Sequence, residues 1–363
     1  MILGMFTDVL GHGGVQRFGR QYAIALTEFA ASRGEELLIL SLNDPEGDHV
    51  IHAFGKQARI TGFNRSRKNF VKACLRNAPR ARAAFINHAF LSPIALGMRL
   101  RNRAMNYIVA VYGIEVWTRM SLLRRMGMRG AQTVLTIAEF NREQMRSTQG
   151  ITSGPALEVI PPPYESTLER QSADDAEWAA AGIQKPYVLC VCRINKADQR
   201  KYVESLIRAF GKLHNDFPEW ACYHVGNGDD RPRLESIARD CAPGFRFLGA
   251  ASDGLLNRLY RECELFVMPS EKEGFGIVFL EAMAHAKPVI GGNAGGTPDI
   301  IPEGVIGYLI DPKNIDQLAE RMRSLMKDES LRARLGAAGR ERLHDVYTPA
   351  KFLARMNEVL ARL

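Results

Sequence analysis

A chain of 363 residues is longer than a single hydrophobic core usually supports, so two domains are expected. Its 46% hydrophobic and 24% charged residues are ordinary for a globular protein, and no run of 18 or more apolar residues is present to span a bilayer as a helix. The net charge of +8 is unevenly spread: from Lys56 to Gly130 sixteen Lys or Arg stand against one carboxylate, Glu115, which puts that stretch at +15 and the remainder at −7. Such a front half suits an anionic membrane surface or a lipid-diphosphate acceptor. Nucleic acid is disfavoured, because the segment has no helix-turn-helix pattern, finger spacing or interleaved aromatic platform.

The opening MILGMFTDVLGHGG has neither a basic n-region nor a small-residue cleavage site, and it reads as a strand entering a turn rather than as a signal peptide. Gly11 to Arg17 then forms a glycine-rich loop before an amphipathic helix running to about Ala31. The spacing fails the G-x-G-x-x-G dinucleotide fingerprint, since Gly13 is followed by Gly14 and then Val-Gln-Arg. Apolar runs at Glu36 to Leu42, Ala84 to Asn87, Asn106 to Val111 and Thr133 to Ile137 alternate with helical segments at Lys68 to Arg76, Pro93 to Arg101 and Phe140 to Ser147. This alternation predicts an α/β fold: a doubly wound parallel sheet whose ligands meet the carboxyl ends of the strands. His88 and Tyr112 fall at two such ends. Met98 to Arg103 and Met120 to Arg129 mix Met and Leu with Arg, as a helix lying on a bilayer would.

Ile160-Pro161-Pro162-Pro163-Tyr164 and the polar span from Glu165 to Asp175 read as the hinge, giving domains at 1–163 and 164–348. The rear domain opens with a buried strand, Tyr187 to Cys192, then Arg193 and a helix expected from Lys201 to Leu213. Further strand and helix units follow, with Gly226-Asn227-Gly228 and Phe247-Leu248-Gly249 at strand ends. Six cysteines sit inside these elements with no C-x-x-C pair and no His at zinc-ligand spacing, so free thiols and no metal are expected, with Cys190 and Cys192 packing on one strand face.

From Ser270 to Lys287 the sequence SEKEGFGIVFLEAMAHAK places Glu273 and Glu281 eight apart, with Gly274-Phe275-Gly276 directly after the first. The glycines let backbone approach a ligand closely, and free N–H groups around residues 276 to 279 open a helix favourable to an anion. Arg193 leaving one strand and Lys201 opening a helix are two cations that can reach one diphosphate and stabilise it as it departs.

Glu-Gly-Phe-Gly-Ile-Val-x-Leu-Glu-Ala-Met-Ala, followed by Lys287-Pro288-Val289-Ile290-Gly291-Gly292 and Gly295-Gly296, resembles the E-x7-E region of the family 4 retaining glycosyltransferases. Gly13-Gly14-Val15-x-Arg17 resembles that family's first loop, and Lys201 to Phe210 falls in register with its Lys-Gly-x-x-x-Leu-Ile-x-Ala-Phe pattern. The resemblance implies a GT-B fold, two doubly wound domains facing across a cleft, with the last helix, about 349–363, crossing back to the first. It implies a catalytic set of Arg193, Lys201 and Glu273. It also implies donor contacts at Gly13, Gly14, Gly226, Leu248, Gly274, Phe275, Gly276, Ile277, Val278 and Glu281, and weaker acceptor or sugar contacts at His88 and Tyr112. A hexosyl unit would pass, with retention and without a metal or cofactor, from a UDP- or GDP-linked sugar to a glycan or lipid-linked acceptor at the cytoplasmic face of a membrane, as in envelope polysaccharide synthesis. The chain departs from the family pattern at Tyr112, where a His is usual, at Cys192 and Tyr202, which replace glycines, and at the triple proline. A nucleotide-sugar 2-epimerase of the same fold and a non-catalytic, polyanion-binding adaptor are the competing readings.

Overall fold

The computed structural model describes residues 1–11, 13–165 and 175–363. Most of the proposed hinge, residues 166–174, lies outside the described residues. The chain divides into two compact units, Met1–Pro163 with Pro349–Leu363, and Tyr164–Thr348.

The first unit begins with β1 (Ile2–Phe6), α1 (Gly14–Ser32), β2 (Leu37–Ser41), β3 (Gly47–Ala53) and β4 (Lys56–Gly62). It continues through α2 (Arg67–Asn77), β5 (Ala83–Ile86), α3 (Ser92–Arg101), β6 (Asn106–Val111), α4 (Leu122–Arg129), β7 (Thr133–Thr136), α5 (Glu139–Ser147) and β8 (Ala156–Val159). The eight strands form one sheet in the order β3-β4-β2-β1-β5-β6-β7-β8. The central strands β1, β5 and β7 are buried along their whole length, as strands covered by helices on both faces must be.

One pair departs from the expected parallel arrangement. β3 and β4 are antiparallel, joined by Phe54-Gly55 with both residues in the left-handed region, φ 56° and 72°. That is the two-residue hairpin turn whose twist matches its strands. The alternation in Val50-Ile51-His52-Ala53 and Gln57-Ala58-Arg59-Ile60 is the period-two pattern of a sheet edge, overlooked because this stretch is polar enough to pass for a loop.

The second unit comprises α6 (Asp175–Ala181), β9 (Tyr187–Val191), α7 (Val203–Leu213), β10 (Ala221–Val225), α8 (Arg231–Cys241), β11 (Phe245–Gly249) and α9 (Asp253–Glu262). β12 (Leu265–Met268), α10 (Ile277–Ala284), β13 (Val289–Gly292), α11 (Thr297–Ile300), β14 (Gly307–Ile310), α12 (Ile315–Lys327) and α13 (Glu329–Val346) complete it. Its six strands are all parallel, in the order β11-β10-β9-β12-β13-β14. Chain order reverses between β9 and β12, the doubly wound pattern.

α14 (Pro349–Leu360) returns to the first unit. Its Phe352 ring lies 5.6 Å from Phe18 and 5.7 Å from Tyr22 on α1, and 6.1 Å from Phe54 of the hairpin. Phe18, Tyr22, Ala25 and Phe29 recur at helical spacing on the buried stripe of α1, so the terminal helix docks on an aromatic face already fixed by that pattern.

Candidate active site

Because chain order reverses between β9 and β12, the loops that follow them leave the sheet on opposite faces and open a crevice at its carboxyl edge. Three loops meet there. The Glu271 N–H donates to the Arg200 carbonyl at 2.8 Å, tying the loop after β12 to the loop after β9. Beside that bond the Lys201 ammonium lies 2.6 Å from Glu273 Oε2 and 3.4 Å from the Lys272 carbonyl. From the loop after β13, the Gly296 N–H donates to the Glu273 carbonyl at 2.8 Å. Gly295, at φ 60°, comes so near that a Cβ there would stand 2.4 Å from the same carbonyl oxygen. Glu273 is therefore held through both its side chain and its backbone.

Burial works against the Lys201 charge, but the Glu273 carboxylate outweighs it and raises the ammonium above its ordinary range. Lys201 is cationic at any physiological pH. Only 28% of its side chain and 19% of that of Glu273 are exposed, so the pair is less screened than a surface ion pair.

Gly276, at φ 103°, turns the chain into α10; a Cβ there would meet the Phe279 ring at 2.7 Å. Ile277 and Val278 form the first, half-buried turn, where backbone N–H groups have no intrahelical acceptor. Gly274 is half-buried, while Phe275 is buried with its ring 5.8 Å from Tyr347. Phe275 thus anchors the loop by packing. Glu281, one turn further on, is buried and accepts a 2.9 Å hydrogen bond from the Tyr260 hydroxyl. Tyr260 on α9 was not foreseen as its partner.

α7 begins at Val203, two residues later than the sequence suggested. The reason is Tyr202, which takes the left-handed conformation (φ 52°, ψ 36°) that the family's glycine would adopt freely, and so ends the loop instead of opening the helix. Its hydroxyl donates to Glu271 at 3.1 Å, and Lys313 pairs with Glu271 at 3.0 Å, which offsets part of the backbone cost. Lys201 consequently lies in the loop. Arg193, just beyond β9, is exposed, and among the described residues no side chain pairs with its guanidinium.

The other expected contacts are less concentrated. Gly226, at φ 132°, packs against the loop after β9, where a Cβ would stand 2.0 Å from the Cys192 carbonyl. Leu248 is half-buried on the edge strand β11, two strands from β9, beside a surface groove rather than beside the Lys201–Glu273 pair. A cavity of about 320 Å³ lies behind Lys201, lined by Gln199, Tyr202, Glu204, Arg208 and Arg233. Its guanidinium groups are already paired, Arg200 with Asp198 at 2.8 Å, Arg208 with Glu204 at 2.8 Å and Arg233 with Asp230 at 2.7 Å, and Lys201 is the lining cation it shares with the crevice.

The first unit has its own order reversal, between β1 and β5. Gly13, at φ 139°, precedes α1, and Gly14 opens it; both are exposed, and a Cβ at Gly14 would meet nothing within 4 Å. The loop after β1 is pinned by side chains that sequence reasoning missed. Buried Asp44 accepts from the N–H groups of Val9 (2.9 Å) and Leu10 (3.1 Å) and from the Ser41 hydroxyl (2.6 Å), and Asn87 Oδ1 accepts from the Thr7 N–H at 2.9 Å. Asn87 Nδ2 donates to the Tyr112 hydroxyl at 3.3 Å.

Burial pushes the Tyr112 phenol well above its ordinary range, so it serves as a hydrogen-bonding group and not as a base. His88 is half-buried with its ring 5.9 Å from that of Tyr112, and its Nδ1 accepts from the Phe90 N–H at 3.1 Å, leaving Nε2 to carry the proton. Burial lowers the His88 pKa, partly opposed by Glu115. The imidazole is neutral at pH 7.

Two doubly wound parallel-sheet units in one chain, with cations and glycine loops at a carboxyl-edge crevice, are the arrangement of the GT-B fold. The crystal structure of Anabaena Alr3699/HepE in complex with UDP shares this fold over 100% of both chains, with a TM-score of 0.75 at 16% identity. Residues 178–342 match the family model for glycosyl transferases group 1, and with a relative 30% identical over 69% of this chain and 68% of its own length, the chain belongs to that family.

Among relatives, a GDP-mannose-dependent monoacylated alpha-(1-6)-phosphatidylinositol monomannoside mannosyltransferase of Corynebacterium glutamicum is 30% identical, over 69% of this chain and 68% of that protein. The corresponding GDP-mannose-dependent alpha-(1-6)-phosphatidylinositol monomannoside mannosyltransferase of Mycobacterium tuberculosis is also 30% identical, over 66% of this chain. The chain spans 65% of that protein's length. The family expected from Glu273 to Gly296 is thus borne out.

Proposed function

We propose that the chain is a retaining, metal-independent hexosyltransferase. It takes its sugar from a nucleotide diphosphate donor, with GDP-mannose the first to test and UDP-hexoses the second, and passes it to a lipid-linked glycan acceptor. The observation that carries this reading is the Lys201–Glu273 pair, 2.6 Å apart on two loops of one switch-point crevice, beside the free N–H groups of α10. In a member of this family, that crevice is suited to a diphosphate. The donor's phosphates would lie against the first turn of α10, with Lys201 and the exposed Arg193 taking up the negative charge that builds on the leaving group. Glu273 would fix the Lys201 ammonium before substrate arrives and offer its carboxylate to a sugar hydroxyl, so little reorganisation would accompany bond cleavage. The sequence has no Asp-x-Asp triplet to hold a divalent ion between phosphates, which supports fixed cations in that role.

The lipid-linked acceptor draws support from the mannosyltransferase relatives and from one face of the first unit. Leu122, Leu123 and Met126 on α4 are 61%, 60% and 46% exposed, and Leu100 at the end of α3 is 83% exposed. Arg99, Arg101, Arg103, Arg124, Arg125 and Arg129 surround them, and among the described residues none is in an ion pair. Exposed aliphatics with guanidinium groups outside ion pairs on the same two helices and the turn after α3 fit an anionic leaflet, the former among acyl chains and the latter among headgroups. No described helix is long and apolar enough to cross a membrane.

The test is calorimetry against GDP, UDP and ADP, followed by transfer from the matching sugar nucleotide and determination of the anomeric configuration of the product. Micromolar binding of one nucleotide and a product that keeps the donor's configuration are expected. A folded protein that binds none of the three would overturn the reading.

A further inference from the structure

The second unit carries a side-chain cluster that the proposed transfer does not use. Cys190 and Cys192 lie two apart at the carboxyl end of β9, on one face of the strand. His224 on β10 stands opposite Cys190 in the parallel register. The two sulfurs and a ring nitrogen all lie within 4.8 Å of one another, and Cys192 Sγ is 3.5 Å from His224 Nε2. Cys190 and His224 are wholly buried, and Cys192 is half-buried toward the loop that carries Arg193. No hydrogen bond to His224 Nδ1 is found among the described residues, so the buried imidazole's hydrogen-bonding partner there is the Cys192 sulfur.

The sulfur–nitrogen separation fits a metal centre as well as a hydrogen bond. A tetrahedral ion with metal–sulfur bonds of about 2.3 Å and metal–nitrogen bonds of about 2.0 Å sets sulfur and nitrogen about 3.5 Å apart. Two thiolates and one imidazole are soft to borderline donors, which favour a d10 ion over magnesium or calcium.

We propose that Cys190, Cys192 and His224 form a binding site for Zn²⁺. On loading, both S–H bonds break, two zinc–sulfur bonds and one zinc–nitrogen bond form, and two protons leave to solvent. The centre is then neutral, as its buried position requires. Among the described residues no fourth His, Cys, Asp or Glu joins the cluster, so water completes the tetrahedron. The ion clamps the end of β9 to β10 directly beneath the loop holding Arg193 and Lys201. It braces that loop and takes no part in bond cleavage.

The experiment uses the full chain, reduced, loaded with Zn²⁺ and desalted, with metal measured by mass spectrometry and loading repeated with Co²⁺. The expected result is one zinc per chain, thiolate-to-cobalt charge-transfer absorption, and a melting temperature raised by zinc. Cys192→Ser and His224→Asn should each weaken retention about 100-fold or more, while Cys241→Ser, distant in sequence and outside the cluster, should change nothing. If Cys190→Ser fails to fold, the half-buried Cys192 still provides the test. A folded wild type that retains no zinc, or equal retention in Cys192→Ser and wild type, would overturn the assignment.

Discussion

The two units solve the same topological problem with opposite chemistry. In the second, the loops at the order reversal carry an ion pair, Lys201 with Glu273, and are closed by Gly295-Gly296 around the Glu273 backbone. In the first, the equivalent loops are tied by neutral or fully satisfied groups: Asp44 saturated by backbone N–H and hydroxyl donors, Asn87 between Thr7 and Tyr112, and a neutral His88. The fold supplies both crevices, and the side chains decide which of them can take a charged ligand. Fixed, partly desolvated cations favour a diphosphate, whereas a hydrogen-bonded edge at which Glu115 and Asp8 offset Arg124 around His88 favours hydroxyl groups. Part of the first unit's basic charge lies on α3 and α4, where Arg99, Arg101 and Arg129 are exposed.

The largest effect expected from this contrast is at Lys201. Lys201→Ala and Glu273→Ala should each lower kcat by roughly 10²- to 10³-fold, the usual loss when one charge-stabilising contact to a transition state is removed. The double variant should be little worse than either single one, because each residue is useful through the other. Substituting Tyr112→Phe in the first unit should cost less than about 10-fold, the loss of one neutral hydrogen bond. Comparable losses at Tyr112 and Lys201 would erase the distinction between the crevices, provided circular dichroism shows all four variants folded.

Next in size is the separation of the basic face from both crevices. Reversing Arg124, Arg125 and Arg129 to Glu should weaken sedimentation with phosphatidylserine vesicles by about 100-fold or more, at about 1 kcal/mol for each basic residue near an anionic surface. Affinity for the soluble nucleotide should stay unchanged. Vesicle binding that survives the triple reversal would remove α4 as the membrane-facing element.

Much of this arrangement was legible beforehand, for physical reasons that differ from place to place. Buried parallel strands are nearly continuous apolar runs, so β1, β6 and β9 stood out, and Glu273-Gly274-Phe275-Gly276 marked a loop that needs close backbone approach. The β3–β4 hairpin did not stand out, since its outer face is polar and its turn is Phe-Gly instead of Asn-Gly. Tyr202 was visible as a departure from glycine, but its left-handed backbone and its effect on the start of α7 depend on Glu271 and Lys313, distant in sequence. The same holds for Asp44 and Asn87, whose partners are backbone groups of another loop. His224 shows the limit most plainly: no spacing rule pairs it with Cys190-x-Cys192, and strand register alone brings it there.

A smaller effect tests how tightly the second crevice is built. At Gly295 an added Cβ would stand 2.4 Å from the Glu273 carbonyl, whereas at Gly304, with a similar φ of 73°, it would meet nothing within 4 Å. Gly304→Ala should cost about 1 kcal/mol, the left-handed penalty alone. Gly295→Ala should cost about 1–3 kcal/mol in denaturant unfolding and weaken nucleotide binding as well, because a backbone carbonyl cannot yield as a flexible side chain can. Equal costs at the two glycines would mean that the loop after β13 is free to move away from Glu273.

The smallest effect separates the two units by pH. His285, the residue after α10, is stacked on Tyr260 with ring centroids 6.3 Å apart, and no hydrogen bond to its Nε2 is found among the described residues. Burial first, and then the cations Lys287, Arg261 and Arg340, push its pKa down to about 4. In the unfolded chain it titrates near its ordinary value of about 6.5. As pH falls through 6.5 the unfolded state takes up the proton first, so stability contributed by the neutral ring is complete above 6.5, declines toward 4 and is flat below. After allowance for solvent screening the loss is about 1–2 kcal/mol. Carboxylates do not disturb the upper part of that window, because Glu35, Glu204 and Glu262, all lowered by basic partners, lose their contributions only as pH falls below about 4.5. His285→Gln should therefore flatten urea-unfolding stability between pH 6.5 and 4.5. His88→Gln should flatten it less, since Glu115 opposes the burial that lowers His88 and no such carboxylate acts on His285. A larger change at His88 would show that the neutral edge of the first unit is under greater electrostatic tension than the charged crevice of the second.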